Sequence, residues 1–201
     1  MIRALVACAV VLAAVGAVQG SQATFTGSAQ NDGGSFATAS DWVAPTATSI
    51  AAANKGTLGT TAGKLDSGDT ITFAFSEAIS PASVLSGWSG ASTPVRVRFT
   101  NASSNDTFTV QDSGGGTTVK LGTVTTGGNY VTANANVTST MARSADGKSV
   151  VVTLGTPTSV SLSAVGARNM SWALVAGPKD VAGNALATPA TRNETDSDVD
   201  F

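Results

Sequence analysis

The acidic C-terminal segment has the residue pattern best suited to chemistry. Its acidic residues alternate with other residues: Glu194, Asp196, Asp198 and Asp200. An Asp-x-Asp-x-Asp spacing can present several carboxylate oxygens to Ca²⁺, although an EF-hand has glycine directly after its third aspartate, where this chain has Phe201. The alternative is a solvated terminal strand with Val199 and Phe201 facing inward. Asp196, Asp198 and Asp200 are therefore candidate calcium ligands, and no other cofactor is predicted.

Few residues of the chain could act in catalysis. The sequence contains no histidine, which excludes Ser-His-Asp triads, Cys-His pairs and imidazole metal ligands, and its one cysteine is Cys8. The candidates for a glycosidase-type carboxylate pair are Asp69, Glu77, Asp106, Asp112, Asp146 and Asp180. Nearly all of them adjoin Gly, Ser or Asn in turn contexts, where aspartate accepts hydrogen bonds from backbone amides. We therefore predict that the protein is not an enzyme.

Large aromatic rings are the other candidate contact groups, because Trp and Tyr combine flat apolar area with a hydrogen-bond donor. Trp172 alternates with Met170 and Leu174, which is typical of a buried strand. Trp88 lies between glycines in a predicted loop, where it could contact a ligand or act as a packing lid. Trp88 and Tyr130 are the predicted ligand-contact residues.

The charge of the chain argues against a nucleic-acid partner. The formal net charge is −2, and the only close basic pair, Arg96 and Arg98, lies in an alternating strand pattern. A nucleic-acid footprint needs clustered basic residues. The basic side chains are therefore interpreted as parts of solvated strand faces.

The N-terminal residues predict export. Arg3 is followed by an apolar run from Ala4 to Val18 and then by small-x-small sites, as in a secretory signal peptide over residues 1–23. The run is short for a membrane span, so the mature form is expected to have none, and a retained N-terminal anchor is the alternative. Cys8 has too little apolar sequence before it for a lipidation signal and would leave with the leader. The protein is predicted to be secreted, extracellular or on the cell surface.

Period-two alternation dominates the remaining chain. The predicted strands cover residues 46–53, 68–75, 95–99, 107–110, 117–124, 130–137, 149–154 and 160–165. Ile71, Phe73 and Phe75 share one face of the second of these strands, and residues 81–85 predict a helical turn with Ser80 as its N-cap. This spacing predicts an all-β Greek-key β-sandwich over residues 43–201, preceded by a short β arm or hairpin over residues 24–42, the N-terminal arm.

Two motifs resemble a known family. Gly68-Asp69-Thr70-Ile71-Thr72-Phe73-Ala74-Phe75-Ser76-Glu77 together with Asp180-Val181-Ala182-Gly183-Asn184 resembles bacterial immunoglobulin-like domains of the S-layer and large surface-protein kind. In that family the first motif is a core strand and the second is the turn before the last strand. The leader and the Ala-Thr-Phe-Thr through Asn-Asp-Gly-Gly-Ser-Phe segment are similar to exported biofilm-fibre proteins of the TasA and camelysin type.

The resemblance implies a structural or adhesive role at the cell envelope or in a matrix. We therefore expect a secreted or cell-surface, non-enzymatic immunoglobulin-like module that self-associates through its N-terminal arm, because an isolated strand needs a sheet edge to pair with. The expected partners are a second copy of the chain or an envelope or matrix component. The alternative function is a carbohydrate- or matrix-binding module that uses loop aromatics.

Overall fold

A computed structural model describes residues 41–55, 61–160, 164–187, 191–195 and 197–201. All of them belong to one compact unit, Ser40–Phe201. The predicted signal peptide, most of the N-terminal arm and Asp196 lie outside the described residues.

The described chain is almost entirely β-structure. Its elements are β1 (Ala47–Ala53), β2 (Thr70–Phe75), α1 (Pro81–Val84), β3 (Thr93–Thr100), β4 (Thr107–Asp112), β5 (Thr118–Thr125), β6 (Ala135–Arg143), β7 (Ser149–Leu154), β8 (Ser171–Ala173) and β9 (Arg192–Asn193). The nine strands form one sheet in the order β1-β2-β7-β6-β3-β4-β5-β8-β9, and all neighbouring pairs are antiparallel. Because β1 also lies next to β9, the sheet is nearly barrel-shaped. The all-β prediction is confirmed.

The core lies on the face predicted from the alternation in β2. Ile71, Phe73 and Phe75 are buried, whereas the intervening Thr72 is only partly so. The Trp172 ring of β8 stands edge-on to Phe73 and Phe75, with centroid separations of 5.1 and 5.5 Å, and its indole nitrogen donates to the carbonyl oxygen of Leu121. The prediction that Trp172 belongs to the core is therefore confirmed.

A bulge in β5 allows two residues an odd number of positions apart to face the core. Leu121 and Val124 are both buried although three positions separate them, and Gly122 lies between them at a φ of +84°. A Cβ atom on Gly122 would lie 2.2 Å from the carbonyl oxygen of Ala173, so only glycine fits where β5 approaches β8.

Two predicted elements differ in detail. The helical turn forms with Pro81 in its first turn, but the Ser80 side chain makes no capping hydrogen bond, and the Ser83 hydroxyl instead donates to the Ser80 carbonyl at 2.6 Å. The strand predicted over residues 130–137 begins only at Ala135. Its first amides, on Tyr130 and Val131, donate to the Asp106 carboxylate at 2.6 and 2.8 Å and so do not enter a strand ladder.

The predicted strand over residues 160–165 is also shorter in the structure. Among its described residues, Val160 forms an isolated bridge with Val131, and residues 161–163 lie outside the described part of the chain. No helix among the described residues has the length and apolar character needed to cross a membrane.

Candidate metal centre

Two groups of carboxylates come together in the described part of the chain. The C-terminal cluster contains Glu194, Asp198 and Asp200, and the turn cluster contains Asp41, Glu77 and Asp180. In each cluster, one carboxylate oxygen per residue lies within 4.8 Å of the others. The two clusters differ in burial and in hydrogen bonding.

The segment after β9 positions Glu194. The Glu194 amide donates to the Met170 carbonyl at 2.9 Å, and the Glu194 carboxylate accepts the Met170 amide at 3.0 Å. These bonds fix the side chain beside β8, where it is 8% exposed. The Ala52 amide of β1 also lies close enough to lower the pKa of this carboxylate, so Glu194 lies where β1 and β9 approach each other.

The last residues of the chain are held by main-chain contacts to other segments. The Arg168 amide donates to the Asp198 carbonyl at 2.8 Å, and the Gly63 amide donates to the Phe201 carbonyl at 2.7 Å. The Phe201 ring is fully buried and stands edge-on to Tyr130 at a centroid separation of 5.2 Å. Asp200 is therefore carried into the interior between two anchored neighbours, whereas the Asp198 side chain remains exposed.

Asp200 occupies an unfavourable electrostatic environment. Its side chain is fully buried, and neither carboxylate oxygen has a hydrogen-bond partner. Burial, followed by the charges of Glu194 and Asp198, raises the pKa of Asp200 to about 7. Burial also raises the pKa of Glu194, although the hydrogen bond from Met170 opposes this shift.

Tyr130 adds a further unpaired polar group. Its side chain is 1% exposed, and its hydroxyl has no hydrogen-bond partner. Burial and then the charges of Asp200 and Glu194 raise the Tyr130 pKa. The hydroxyl is thus close enough to Asp200 for each group to affect the pKa of the other, yet no hydrogen bond of ordinary geometry joins them.

The turn cluster is built around Asp180, whose carboxylate is satisfied, although one buried oxygen of Glu77 has no hydrogen-bond partner. The two Asp180 oxygens accept the Asn184 amide and the Asn184 side-chain nitrogen, both at 2.8 Å. Burial raises the pKa of Asp180, but these and neighbouring backbone hydrogen bonds outweigh it, so the pKa is lowered overall. Asp41 is exposed, and the pKa of Glu77 is raised by burial and by Asp41 and Asp180. The structure therefore places Asp180 and Asn184 in the turn that the sequence predicted.

The structure brings together part of the predicted calcium set. Asp198 and Asp200 meet, while Asp196 lies outside the described residues. Glu194 completes the group, and its place in the acidic alternation was the available signal. The alternative, a terminal strand with Val199 facing inward, does not form, because Val199 is 43% exposed and this segment follows β9 outside any strand. Phe201 does face inward as predicted.

The two aromatic residues predicted to contact a ligand are both buried. Trp88 is 6% exposed, and its indole nitrogen donates to the Ala91 carbonyl at 2.7 Å, as expected of a packing lid. Tyr130 is buried against Phe201. Neither side chain offers an exposed ring face in this structure. Trp42, by contrast, is 83% exposed at the end of the N-terminal arm.

The carboxylates considered for glycosidase chemistry mainly hold loops together. Asp106 accepts three backbone amides, from Ala102, Tyr130 and Val131. Backbone amides also donate to Asp69, Asp112, Asp146 and Asp180. These contacts agree with the turn roles that the sequence predicted.

The described residues thus define an all-β protein with a buried carboxylate cluster where its sheet nearly closes. Comparisons with protein-family models, curated proteins and solved structures found no match. Function is inferred from the fold and from the chemistry of these residues.

Proposed function

We propose that this chain is a secreted or cell-surface, non-enzymatic, immunoglobulin-like module with a structural or adhesive role. The observation that carries the proposal is the use of its carboxylates: Asp69, Asp106, Asp112, Asp146 and Asp180 bind backbone amides of loops and turns. Polar groups used in this way fix the backbone and are not free for a reacting substrate. Carboxylates that hold loops in place favour a rigid β-module.

The strand order supports the immunoglobulin-like part of the proposal. β3, β4 and β5 follow one another as neighbours, and β6 returns to lie beside β3. This spatial order, β6-β3-β4-β5, is that of a Greek key. The loops that connect these strands are available to vary without disturbing the core.

Two neighbouring apolar residues support self-association through the N-terminal arm. Trp42 is 83% exposed and Val43 is 55% exposed, directly before β1. Tryptophan is enriched among residues that dominate binding energy at protein interfaces. The expected partner is a second copy of the chain, with an envelope or matrix component as the other candidate.

Light scattering coupled to size-exclusion chromatography, followed by electron microscopy, tests the assembly. Exported protein should form multimers, and deletion of residues 24–40 should leave a folded monomer. Trp42→Ser should weaken association, whereas Val175→Ser, at a side chain that is 41% exposed after β8, is the matched control and should not. Strictly monomeric full-length protein at high concentration would contradict self-association, and selective binding on a glycan array would favour the carbohydrate-binding alternative.

N-terminal sequencing tests the predicted export separately. We expect the exported protein to begin near Ser21 or Thr24, because both positions follow a small-x-small pattern. Recovery of intact Met1 in a membrane fraction would instead indicate a retained anchor.

A further inference from the structure

We propose that the C-terminal cluster binds one Ca²⁺ ion through Glu194, Asp198 and Asp200, and that this ion fastens the end of the chain to the sheet. The proposal concerns a binding site and is independent of the structural or adhesive role.

The strongest support is a set of buried polar groups without partners. Both oxygens of the fully buried Asp200 and the hydroxyl of Tyr130 lack hydrogen bonds. Such groups are rare in folded proteins and costly to bury, because they lose their hydration without compensation. Tyr130 comes from a distant loop, so its unpaired hydroxyl is an observation independent of the acidic sequence pattern. A bound cation would supply what these oxygens lack.

The spacing of the carboxylates suits a single hard cation. Oxygen atoms from Glu194, Asp198 and Asp200 lie within 4.8 Å of one another. Calcium binds oxygen at about 2.3–2.6 Å, so ligands on opposite sides of one ion are separated by about 5 Å. One calcium ion can therefore contact all three side chains after small movements. The flexible coordination of calcium also suits this irregular set better than the near-ideal octahedron that magnesium requires.

The exposure of Asp198 gives the ion a route to solvent. Asp200 is fully buried and Glu194 is 8% exposed, but Asp198 lies at the surface. Water can reach the site from that side and complete the coordination, since calcium takes about six to eight oxygen ligands. The nearby Arg168 guanidinium donates a hydrogen bond to the main-chain carbonyl of Ala167 at 2.9 Å.

The ion would act on the closure of the sheet. Glu194 accepts the Met170 amide and lies near the Ala52 amide of β1, and the neighbouring main chain contacts Arg168 and Gly63. Neutralising the cluster removes the repulsion among three carboxylates that these contacts bring together. Calcium should therefore stabilise the folded chain as a whole, through binding to the native state alone.

Calorimetric titration and thermal unfolding of the purified protein, first freed of metal with EGTA, test the proposal. CaCl₂ well above its Kd should raise Tm by about 5 °C or more. Asp198→Asn, at an exposed position, and Asp200→Asn should each weaken calcium binding by about tenfold or more. Asp41→Asn, in the turn cluster, is the matched control and should keep the full response.

Three results would overturn the proposal. The first is the absence of any calcium-dependent shift in Tm or binding heat in the wild-type protein. The second is a calcium response that survives in both Asp198→Asn and Asp200→Asn. The third is an equal shift with MgCl₂ alone, which would rule out the assignment to calcium. Folding of Asp198→Asn is checked by its circular dichroism in EGTA, which should match the wild type.

Discussion

The two acidic clusters contain the same number of carboxylates at similar spacing but have opposite environments. In the turn cluster, Asp180 is buried and both of its oxygens accept hydrogen bonds from Asn184. In the C-terminal cluster, Asp200 is fully buried and neither oxygen accepts one. The pKa of Asp180 is lowered, whereas the pKa of Asp200 is raised. The chain supplies hydrogen-bond donors to both carboxylate oxygens of Asp180 but to neither oxygen of Asp200.

The difference shows that proximity of carboxylates does not define a metal site. Asp180 lies in a turn whose main chain and Asn184 side chain satisfy the negative charge locally. Asp200 lies between Asp198 and Phe201, whose carbonyls accept amides from distant segments while its own side chain receives no donor. A bound cation stabilises buried carboxylates most where the folded chain provides them with few hydrogen-bond donors.

The largest expected effect is loss of the core that both clusters depend on. Phe73→Ala should reduce the free energy of unfolding by about 3–5 kcal/mol, because the ring packs against Trp172 and truncation leaves a cavity. Thr72→Ala, on the other face of β2, should cost far less. Urea denaturation of the two variants measures this difference in stability. Equal midpoints would contradict the assigned faces of β2.

Next in size is the loss of the satisfied aspartate. Asp180→Asn should reduce the free energy of unfolding by about 1–3 kcal/mol, because charge-assisted hydrogen bonds from Asn184 are lost or weakened. The loss should be the same with Ca²⁺ and with EGTA. A destabilisation that calcium reversed would place a metal ion in the turn cluster and break the comparison.

The same substitution at the unpaired aspartate should have a different effect. Burial raises the pKa of Asp200 to about 7, whereas an unfolded aspartate titrates near about 3.9. Between these values the folded protein binds the extra proton, so this group's contribution to stability is present below about pH 4 and is lost as the pH rises to about 7. Glu194 shifts in the same direction, and Arg168 and Tyr130 also face this region.

Metal-free Asp200→Asn should therefore be as stable as the wild type, or more stable, near neutral pH. Urea midpoints measured in EGTA on both sides of this pH range test the expectation. The decline in stability should be smaller in the variant than in the wild type. An identical decline in both proteins would show that Asp200 does not titrate with the raised pKa.

The smallest expected effect is that of an exposed member of the turn cluster. Asp41→Asn should change the free energy of unfolding, measured by urea denaturation, by no more than about 0.5 kcal/mol. The reason is that exposed charges contribute little to stability. A large loss would show that the charge of Asp41, and not only its backbone carbonyl contact with Asn184, supports the turn.

The sequence was sufficient for features that depend on local pattern. Alternation in β2 placed Phe73 inward, and Pro81 marked the short helix, because both signals lie within a few residues. The start of β6 was harder to place, since the Asp106 carboxylate accepts the amides of Tyr130 and Val131 from more than twenty positions away. Such a competing acceptor has no signature in a strand pattern.

The candidate site was predictable only in part, because it joins distant segments. The alternating acids indicated Asp198 and Asp200, but strand-like alternation also predicted an inward Val199, which is exposed. The unpaired Tyr130 hydroxyl near these acids comes from the loop between β5 and β6 and has no signal within the acidic segment. At Trp88 a local signal was present but misleading. The flanking glycines indicated an exposed loop, whereas the ring is buried.

Hydrogen–deuterium exchange of the purified protein, with Ca²⁺ or with EGTA, compares the two clusters in one measurement. Calcium should slow exchange over residues 192–201 and at the amides of Gly63, Arg168 and Met170, which contact that segment. Residues 178–186, around the turn cluster, should exchange at the same rate in both conditions. Equal exchange throughout the chain, or calcium-dependent protection only around Asp180, would contradict the assignment of the C-terminal cluster as the cation site.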